Sequence, residues 1–286
     1  MTNLKKSLIF VACIVALLTT LFAFSSCGGG NEISASQDLE LGLNEETDTY
    51  EITGVGACTD TDIIIPSTYN EKPVTSIGNF AFRDCTSLTS ITISDSVTYI
   101  GSSAFRDCTS LTSITISDSV ASIGSSAFRG CTGLTSVTIS DSVTSIGNYA
   151  FSGCTSLTSI TIPDSVTSIG HQAFYGCPIK NAIIPTNAIS HIPNSDLKTV
   201  VINGGTSIGY EAFYNCKGLT IITIPDSVTY IGYYAFRDCT NLTIYCEAES
   251  EPSGWISSWN SSGCPVVWGH AHAYENGTCI CGKSEN

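Results

Sequence analysis

Charged residues, histidine and methionine are scarce in this sequence. Only 13% of its 286 residues are charged, and it contains one methionine and four histidines. Lys and Arg number 11 against 25 Asp and Glu, which gives a formal net charge of −14. Because phosphate backbones and anionic lipid surfaces attract basic proteins, we expect no nucleic-acid partner and no binding to a membrane through charge.

The few candidate catalytic groups do not form a recognisable site. His171 and His191 lie apart in sequence, and neither a His-Glu-x-x-His nor a Gly-x-Gly-x-x-Gly motif is present. A glycosidase needs two carboxyl groups in unlike environments, whereas the Asp residues here recur in identical surroundings. We therefore predict that the protein is not an enzyme and holds no catalytic cofactor.

Residues 1–48 have the pattern of an export signal followed by a tether. Lys5 and Lys6 precede an apolar run, and the small residues Ser25 and Ser26 stand directly before Cys27. This arrangement resembles the lipobox of bacterial lipoproteins, although Phe24 stands where Leu is usual. The resemblance implies a signal peptide over 1–26, a lipidated Cys27 and a flexible tether over 27–48. An ordinary cleaved signal and an uncleaved anchor are the alternatives.

One sequence motif recurs with a fixed period. Ile-Gly, Phe and Cys return at every twenty-third position through most of the chain, and the repeated cysteines are Cys85, Cys108, Cys131, Cys154, Cys177, Cys216 and Cys239. The step from Ile169 to Ile208 is longer than one period and shorter than two, so one coil lacks seven residues from the part that elsewhere reads GxxAFxxC. Repetition of this kind is the signature of a solenoid.

Within one unit, the apolar spacing predicts a short strand, a turn and a segment that leads back toward the next strand. This last segment, which contains the GxxAFxxC motif, is called the return below. Leu88, Ile91 and Ile93 have the alternation of a strand with one buried face. Asp95 begins a turn, and the spacing of the next apolar residues predicts a tight helical or 3₁₀ return. One unit alone cannot bury its apolar side, whereas units stacked about 4.8 Å apart form a continuous core.

The repeat, IPxSVxxIGxxAFxxCxxLxxITIP, resembles that of the BspA-like leucine-rich repeat family of bacterial surface proteins. Thr61–Gly78 is similar to the family's N-terminal cap, and Trp255–Gly269 to its closing segment. The resemblance implies a leucine-rich repeat solenoid of parallel strands over 49–250, including the N-terminal cap, a closing segment over 251–269, and a tail over 270–286. It also implies a surface protein that binds host molecules.

Residues in the same position of each unit form columns along the stack, and most of these columns have structural explanations. The seven cysteines are expected to be buried packing residues, with occasional disulfides or a redox role as alternatives. Asp95, Asp118, Asp141, Asp164 and Asp226 are expected to accept backbone N–H groups in their turns, with a row of calcium ions as the alternative. Cys246 and Cys264 flank the closing segment and are placed to form a disulfide.

Two exposed surfaces are candidates for binding. Alternate Ser and Thr residues on the strands, such as Ser113 and Thr115, point away from the core and form a hydroxyl lattice. The second surface is a group of tyrosines beside the shortened coil: Tyr210, Tyr214, Tyr230, Tyr233 and Tyr234. Exposed aromatic rings suit protein hot spots or sugar stacking, so this group is the preferred site. Packing around the irregular coil is the alternative explanation.

The tail carries a possible zinc site. His270, His272, Cys279 and Cys281 lie close together in sequence and offer two imidazoles and two thiolates. The single residue between the cysteines is unusual for zinc, and a disulfide or an unliganded tail is the alternative.

The sequence as a whole predicts an exported, lipid-anchored cell-surface adhesion protein. We expect a monomer that binds an extracellular or host protein. A carbohydrate-binding module and a spacer without a specific ligand are the alternatives.

Overall fold

The computed structural model describes residues 36, 38–56 and 59–270, together with the backbone of 274–275 and 278–279. The predicted signal peptide and Cys27 lie outside the described residues. No helix among the described residues is long and apolar enough to cross a membrane.

Short strands make up nearly all of the regular structure. The strands before the shortened coil are β1 (Glu40–Asn44), β2 (Thr49–Gly54), β3 (Asp62–Ile64), β4 (Thr68–Tyr69), β5 (Lys72–Ile77), β6 (Ser90–Thr92), β7 (Tyr99–Ile100), β8 (Ser113–Thr115), β9 (Ser122–Ile123), β10 (Ser136–Thr138), β11 (Ser145–Ile146), β12 (Ser159–Thr161) and β13 (Ser168–Ile169). Those that follow are β14 (Asn181–Pro185), β15 (Thr199–Gly204), β16 (Ser207–Ile208), β17 (Ile221–Ile224), β18 (Tyr230–Ile231), β19 (Thr243–Cys246), β20 (Val266–Val267), β21 (Tyr274–Glu275) and β22 (Thr278–Cys279). A 3₁₀ helix, Thr186–His191, lies between β14 and β15.

The repeats stack as coils in strict register, which confirms the predicted solenoid. In the first layer, Ile114 of β8 lies beside Val137 of β10, and both are buried between exposed neighbours. Each regular coil also adds a two-residue strand to a second parallel layer, in which Ile100 pairs with Ile123. A strand of two residues is too short to show an alternating pattern, so it is not evident in the sequence.

The return is built from three successive β-turns, whereas the spacing predicts a tight helical or 3₁₀ return. The N–H groups of Ala81, Arg83 and Cys85 donate to the carbonyls three residues before them, at 3.4, 3.0 and 3.2 Å. The intervening residues donate to the next coil; for example, the Asp84 N–H donates to the Arg106 carbonyl at 2.8 Å. Backbone hydrogen bonding is therefore satisfied alternately within and between coils.

Two residues in each return have a positive φ, which prevents a helix. The second of these positions is occupied by residues that tolerate the left-handed region: Asp84, Asp107, Gly130, Gly153, Gly176, Asn215 and Asp238. The repeated Asp, Asn or Gly directly before each Cys is thus a backbone requirement.

A phenylalanine stack fills the core. The rings of Phe105 and Phe128 are nearly parallel with centroids 5.2 Å apart, and the stack extends from Phe82 to Phe174. It is interrupted at the shortened coil and resumes at Phe213.

The shortened coil is present where the sequence predicts it. β14 and β15 continue the first layer between β12 and β17, and Ile184 and Ile202 are buried there. The second layer stops at β13 and begins again at β16.

The N-terminal end is more ordered than the tether prediction allowed. β1 pairs with β2 as an antiparallel hairpin, and β2 pairs in parallel with β5. Because Leu39 is buried and Leu41 packs against the core, the predicted tether over 27–48 is wrong for its last residues.

Two tryptophans cover the C-terminal end of the core. The Trp259 ring packs edge-on against Phe236 with centroids 5.8 Å apart. Trp255 contacts Trp259 and donates its indole N–H to the Val228 carbonyl at 3.1 Å. The closing segment thus replaces the next coil.

The cysteine column lies inside the fold as a row of hydrogen-bonded thiols. Cys108 and Cys131 donate to the carbonyls of Phe82 and Phe105 in the preceding coils, both at 3.0 Å. No disulfide joins any of the nine cysteines among the described residues. The proposed Cys246–Cys264 bridge is not formed, because the Cys264 thiol instead continues the column to the Cys239 carbonyl at 3.2 Å.

Removing one ring from the stack should be costly. Phe128→Ala leaves a cavity between two rings, and we expect a loss of about 3–5 kcal/mol in the free energy of unfolding, measured with urea. Phe80→Ala is the control, because Phe80 is 54% exposed and should cost less than about 1 kcal/mol. Equal losses would contradict the stack as a source of stability.

Alkaline pH should destabilise the fold through its buried thiols. Burial raises the pKa of Cys246 to about 12 and that of Cys264 to about 11. Unfolded thiols ionise near about pH 8.5, so the unfolded chain loses protons first. Their stabilising contribution is complete below that pH and is lost as the pH rises toward about 11–12. We expect a lower urea midpoint at about pH 10 than at about pH 7, and a smaller difference in the Cys246→Ala/Cys264→Ala variant. An unchanged difference in that variant would exclude these two thiols as the cause.

Candidate binding surface

Four of the five predicted tyrosines form one contact group with an arginine. The Arg237 guanidinium lies 5.4 Å from the centre of the Tyr234 ring and 5.8 Å from that of Tyr214. Tyr234 also contacts Tyr210 and Tyr233, with centroids 6.5 and 6.4 Å apart. These five residues are called the tyrosine–arginine cluster below.

The repeat itself brings the cluster together. Tyr214 and Arg237 occupy the same position of adjacent coils, as do Tyr210 and Tyr233. Tyr234 occupies the first positive-φ position of its return, at 56°, which turns the chain between Tyr233 and Arg237. Tyr210 and Tyr233 are 64% and 52% exposed, so their rings are available to a partner.

Tyr230 lies elsewhere. It belongs to β18 and pairs with Ser207 in the second layer. Although its side chain is exposed, no ring contact joins it to the other four tyrosines within the described residues. The structure therefore does not place Tyr230 in the cluster.

Two acidic side chains, Glu211 and Asp238, contact the cluster. Tyr210 donates its hydroxyl to Glu211 Oε1 at 2.9 Å, and this hydrogen bond holds the pKa of Tyr210 above its usual range. Arg237 and Asp238 form a half-exposed ion pair at 3.8 Å, which contributes little to stability. The Arg237 guanidinium can therefore leave Asp238 and bind a partner with little loss of free energy.

The shortened coil leaves two cavities that sequence analysis did not identify. One has a volume of about 380 Å³ and is lined by His171, Gln172, Tyr175, Ser190, His191, Ile192 and Pro193. The other, of about 440 Å³, lies between the 3₁₀ helix and Gly209–Ala212 and borders Tyr210. His171 and His191 line the same cavity because the coil between them is short. The irregular step from Ile169 to Ile208 is the signal in the sequence that points to this place.

The strand face is as polar as predicted. Ser113 and Thr115 are exposed on either side of buried Ile114. The Asp column differs from the prediction. In the part of the chain that the structure describes, none of the five carboxylates accepts a hydrogen bond from a backbone N–H group. Asp118 instead accepts a hydrogen bond from the Ser140 hydroxyl at 2.7 Å. In four of the five coils the serine that follows the Asp donates its hydroxyl to a carbonyl of the preceding coil; Ser119, for example, donates to the Val97 carbonyl at 2.6 Å.

The proposed zinc ligands are only partly described. His270 packs edge-on against Tyr245, with ring centroids 4.8 Å apart, and its backbone N–H donates to the Cys246 carbonyl. His272 and Cys281, and the side chain of Cys279, lie outside the described residues. No group of three or more His, Cys, Asp or Glu side chains in the described part is placed to hold a metal ion.

Two short matches to enzyme motifs lack the required structure. Gly205–Gly209 reads Gly-x-Ser-x-Gly, but Ser207 lies within strand β16 instead of at a strand-to-helix turn. Residues 277–284 read GxxxxGKS, the pattern of a phosphate-binding loop, and lie mostly outside the described residues. Where the backbone is described, β22 lies inside this motif, whereas a phosphate-binding loop follows a strand and begins a helix.

Comparison with known proteins agrees with the architecture. A leucine-rich repeat protein from T. pallidum is 25% identical, with a TM-score of 0.55 over 83% of this chain and 99% of that one. A leucine-rich repeat protein from Bacteroides ovatus is 29% identical, with a TM-score of 0.47 over 81% of this chain and 70% of that one. No curated protein sequence matches the chain significantly. The model of the BspA type leucine rich repeat region matches in six copies, over residues 58–137, 75–197 and 193–250. The protein therefore belongs to the BspA-type leucine-rich repeat family.

Proposed function

We propose that this protein is an exported, non-catalytic adhesion protein that binds an extracellular or host protein through the tyrosine–arginine cluster. The observation that carries the proposal is the contact group of four tyrosines and Arg237 at an exposed face. Proteins of this repeat family typically act in protein interaction or at surfaces and are typically non-catalytic.

The chemistry of the cluster favours a protein partner. Tyr and Arg are enriched among the residues that dominate binding energy at protein interfaces, because they bury large areas and retain hydrogen-bonding groups. The rings of the cluster already contact one another, so little side-chain freedom is lost on binding. Since the protein carries a net charge of −14, a neutral or basic partner surface fits best.

Export and anchoring rest on the N-terminal sequence. A lipid on Cys27 would attach the chain to the membrane, and the residues before β1 would separate the solenoid from it. The cluster lies on the last two regular coils of the repeat array, and its exposed rings are accessible to a partner.

Binding to a panel of extracellular matrix proteins, mucin and glycans tests the adhesion proposal. We expect the purified protein to bind at least one protein, and Tyr214→Ala/Tyr234→Ala to weaken that binding at least about tenfold. Tyr69→Ala and Tyr99→Ala, which truncate exposed tyrosines on other coils, are the matched controls. Failure to bind any protein, or equal loss in the controls, would overturn the proposal; binding to glycans alone would favour the carbohydrate alternative.

The lipid anchor has its own test. Cys27→Ala removes the acceptor thiol, so we expect the protein to move from the membrane fraction to the medium, as followed by immunoblot. Cys85→Ala, which leaves the N-terminal segment intact, should stay with the membrane. A Cys27→Ala protein that remains membrane-bound would show that another segment anchors it.

A further inference from the structure

The cavity lined by His171, Gln172, Tyr175, Ser190 and His191 has no part in the proposed function. It lies on the other side of the 3₁₀ helix from Tyr210, and none of the cluster residues lines it. It is called the shortened-coil cavity below.

The cavity exists because one return is missing. In regular coils the GxxAFxxC segment covers the return before it, as the Phe128 coil covers that of Phe105. The shortened coil replaces this segment with the 3₁₀ helix and residues 192–197, which are too few to cover the return around Phe174. The opening is a consequence of the backbone path, so it persists without a ligand.

The missing return also leaves main-chain donors without acceptors. In regular coils the corresponding N–H groups bond to the next coil, as Asp84 does to Arg106. The N–H groups of Gln172, Phe174 and Gly176 have no acceptor among the described residues. Of these three residues Gln172 lines the cavity, so its backbone N–H can donate a hydrogen bond to a ligand there.

The lining combines the apolar side chains of Ile192 and Pro193 with polar side chains that are available to a ligand. The cavity contains imidazole, amide, phenol and hydroxyl groups, whereas no carboxylate, ammonium or guanidinium appears among its lining residues in the described part of the chain. None of the side chains of Gln172, Tyr175, Ser190 and His191 forms a hydrogen bond within the described residues. Tyr175 is 62% exposed, so one face of its ring is open.

Part of the lining is held in place by the neighbouring coil. The backbone N–H of His171 donates to Asn148 Oδ1 at 2.7 Å. The imidazole ring packs edge-on against the Tyr149 ring, with centroids 5.6 Å apart. The Arg129 guanidinium lies 5.9 Å from the Tyr149 ring. The imidazole is therefore positioned before any ligand arrives.

We infer that the shortened-coil cavity binds a neutral saccharide unit, with Tyr175 as the stacking platform. Sugar hydroxyls both donate and accept, and the cavity supplies both kinds of partner through Gln172, Ser190 and His191. The C–H face of a pyranose matches an open aromatic ring. A volume of about 380 Å³ lies within the range of small-molecule sites. Sulfated and sialylated sugars fit poorly, since the cavity offers no cation among its described lining residues and the protein is acidic.

Titration with neutral oligosaccharides tests this inference. The full-length protein is mixed with cellobiose, mannobiose, xylobiose and N-acetyllactosamine at up to about 10 mM, and binding is followed by saturation-transfer NMR and calorimetry. We expect binding of at least one sugar. Tyr175→Ala should weaken it at least about tenfold, whereas Tyr175→Phe, which keeps the ring, should retain most of the affinity.

The controls separate this site from the tyrosine–arginine cluster. Tyr214→Ala should leave sugar binding unchanged, and Tyr175→Ala should leave protein binding unchanged, so each proposal can fail independently. Thermal unfolding of each variant verifies the fold. The inference is overturned if no neutral sugar binds, if only charged sugars or oligopeptides bind, or if Tyr175→Ala binds as tightly as the unchanged protein.

Discussion

In every regular return, alternate N–H groups cross to the next coil while the others close turns within their own coil. The Phe82 N–H, for example, donates to the Ala104 carbonyl at 2.7 Å. This alternation fixes the spacing between coils, and that spacing brings the phenylalanine rings to 5.1–5.4 Å and the thiols within reach of the carbonyls in the preceding coil. The core and both strand layers depend on one main-chain pattern, which is why the same residues recur in it.

The sequence predicts this architecture well because the constraint repeats. Ile100, Phe105 and Cys108 each recur at every twenty-third position, and a period carried by buried side chains has few alternative explanations. The short second-layer strands were not predictable, since two residues such as Ser122–Ile123 carry no periodicity of their own. The positive φ at Asp107 was not predicted either, because Asp before Cys suggests an ion pair as readily as a backbone requirement.

The candidate sites were less predictable because they depend on which coils are adjacent. Tyr210 and Tyr234 are separated by one repeat and one further position, so the stacking of adjacent coils places them together. Tyr230 belongs to the same stretch of sequence, yet the strand turns it toward a different layer. His171 and His191 line one cavity because seven residues are missing between the flanking coils, and no local pattern marks where the shortened chain runs.

The shortened coil also divides the array. The first layer runs through it without interruption, whereas the second layer and the phenylalanine stack both stop before it and restart after it. In a linear array each coil is stabilised mainly by its neighbours, so cooperativity is set by the weakest contact between coils. At the shortened coil the first layer and the buried side chains of the 3₁₀ helix, Ala188 and Ile189, connect the two halves of the array. Because the second layer and the phenylalanine stack are both missing there, local opening under force or protease should begin at this coil.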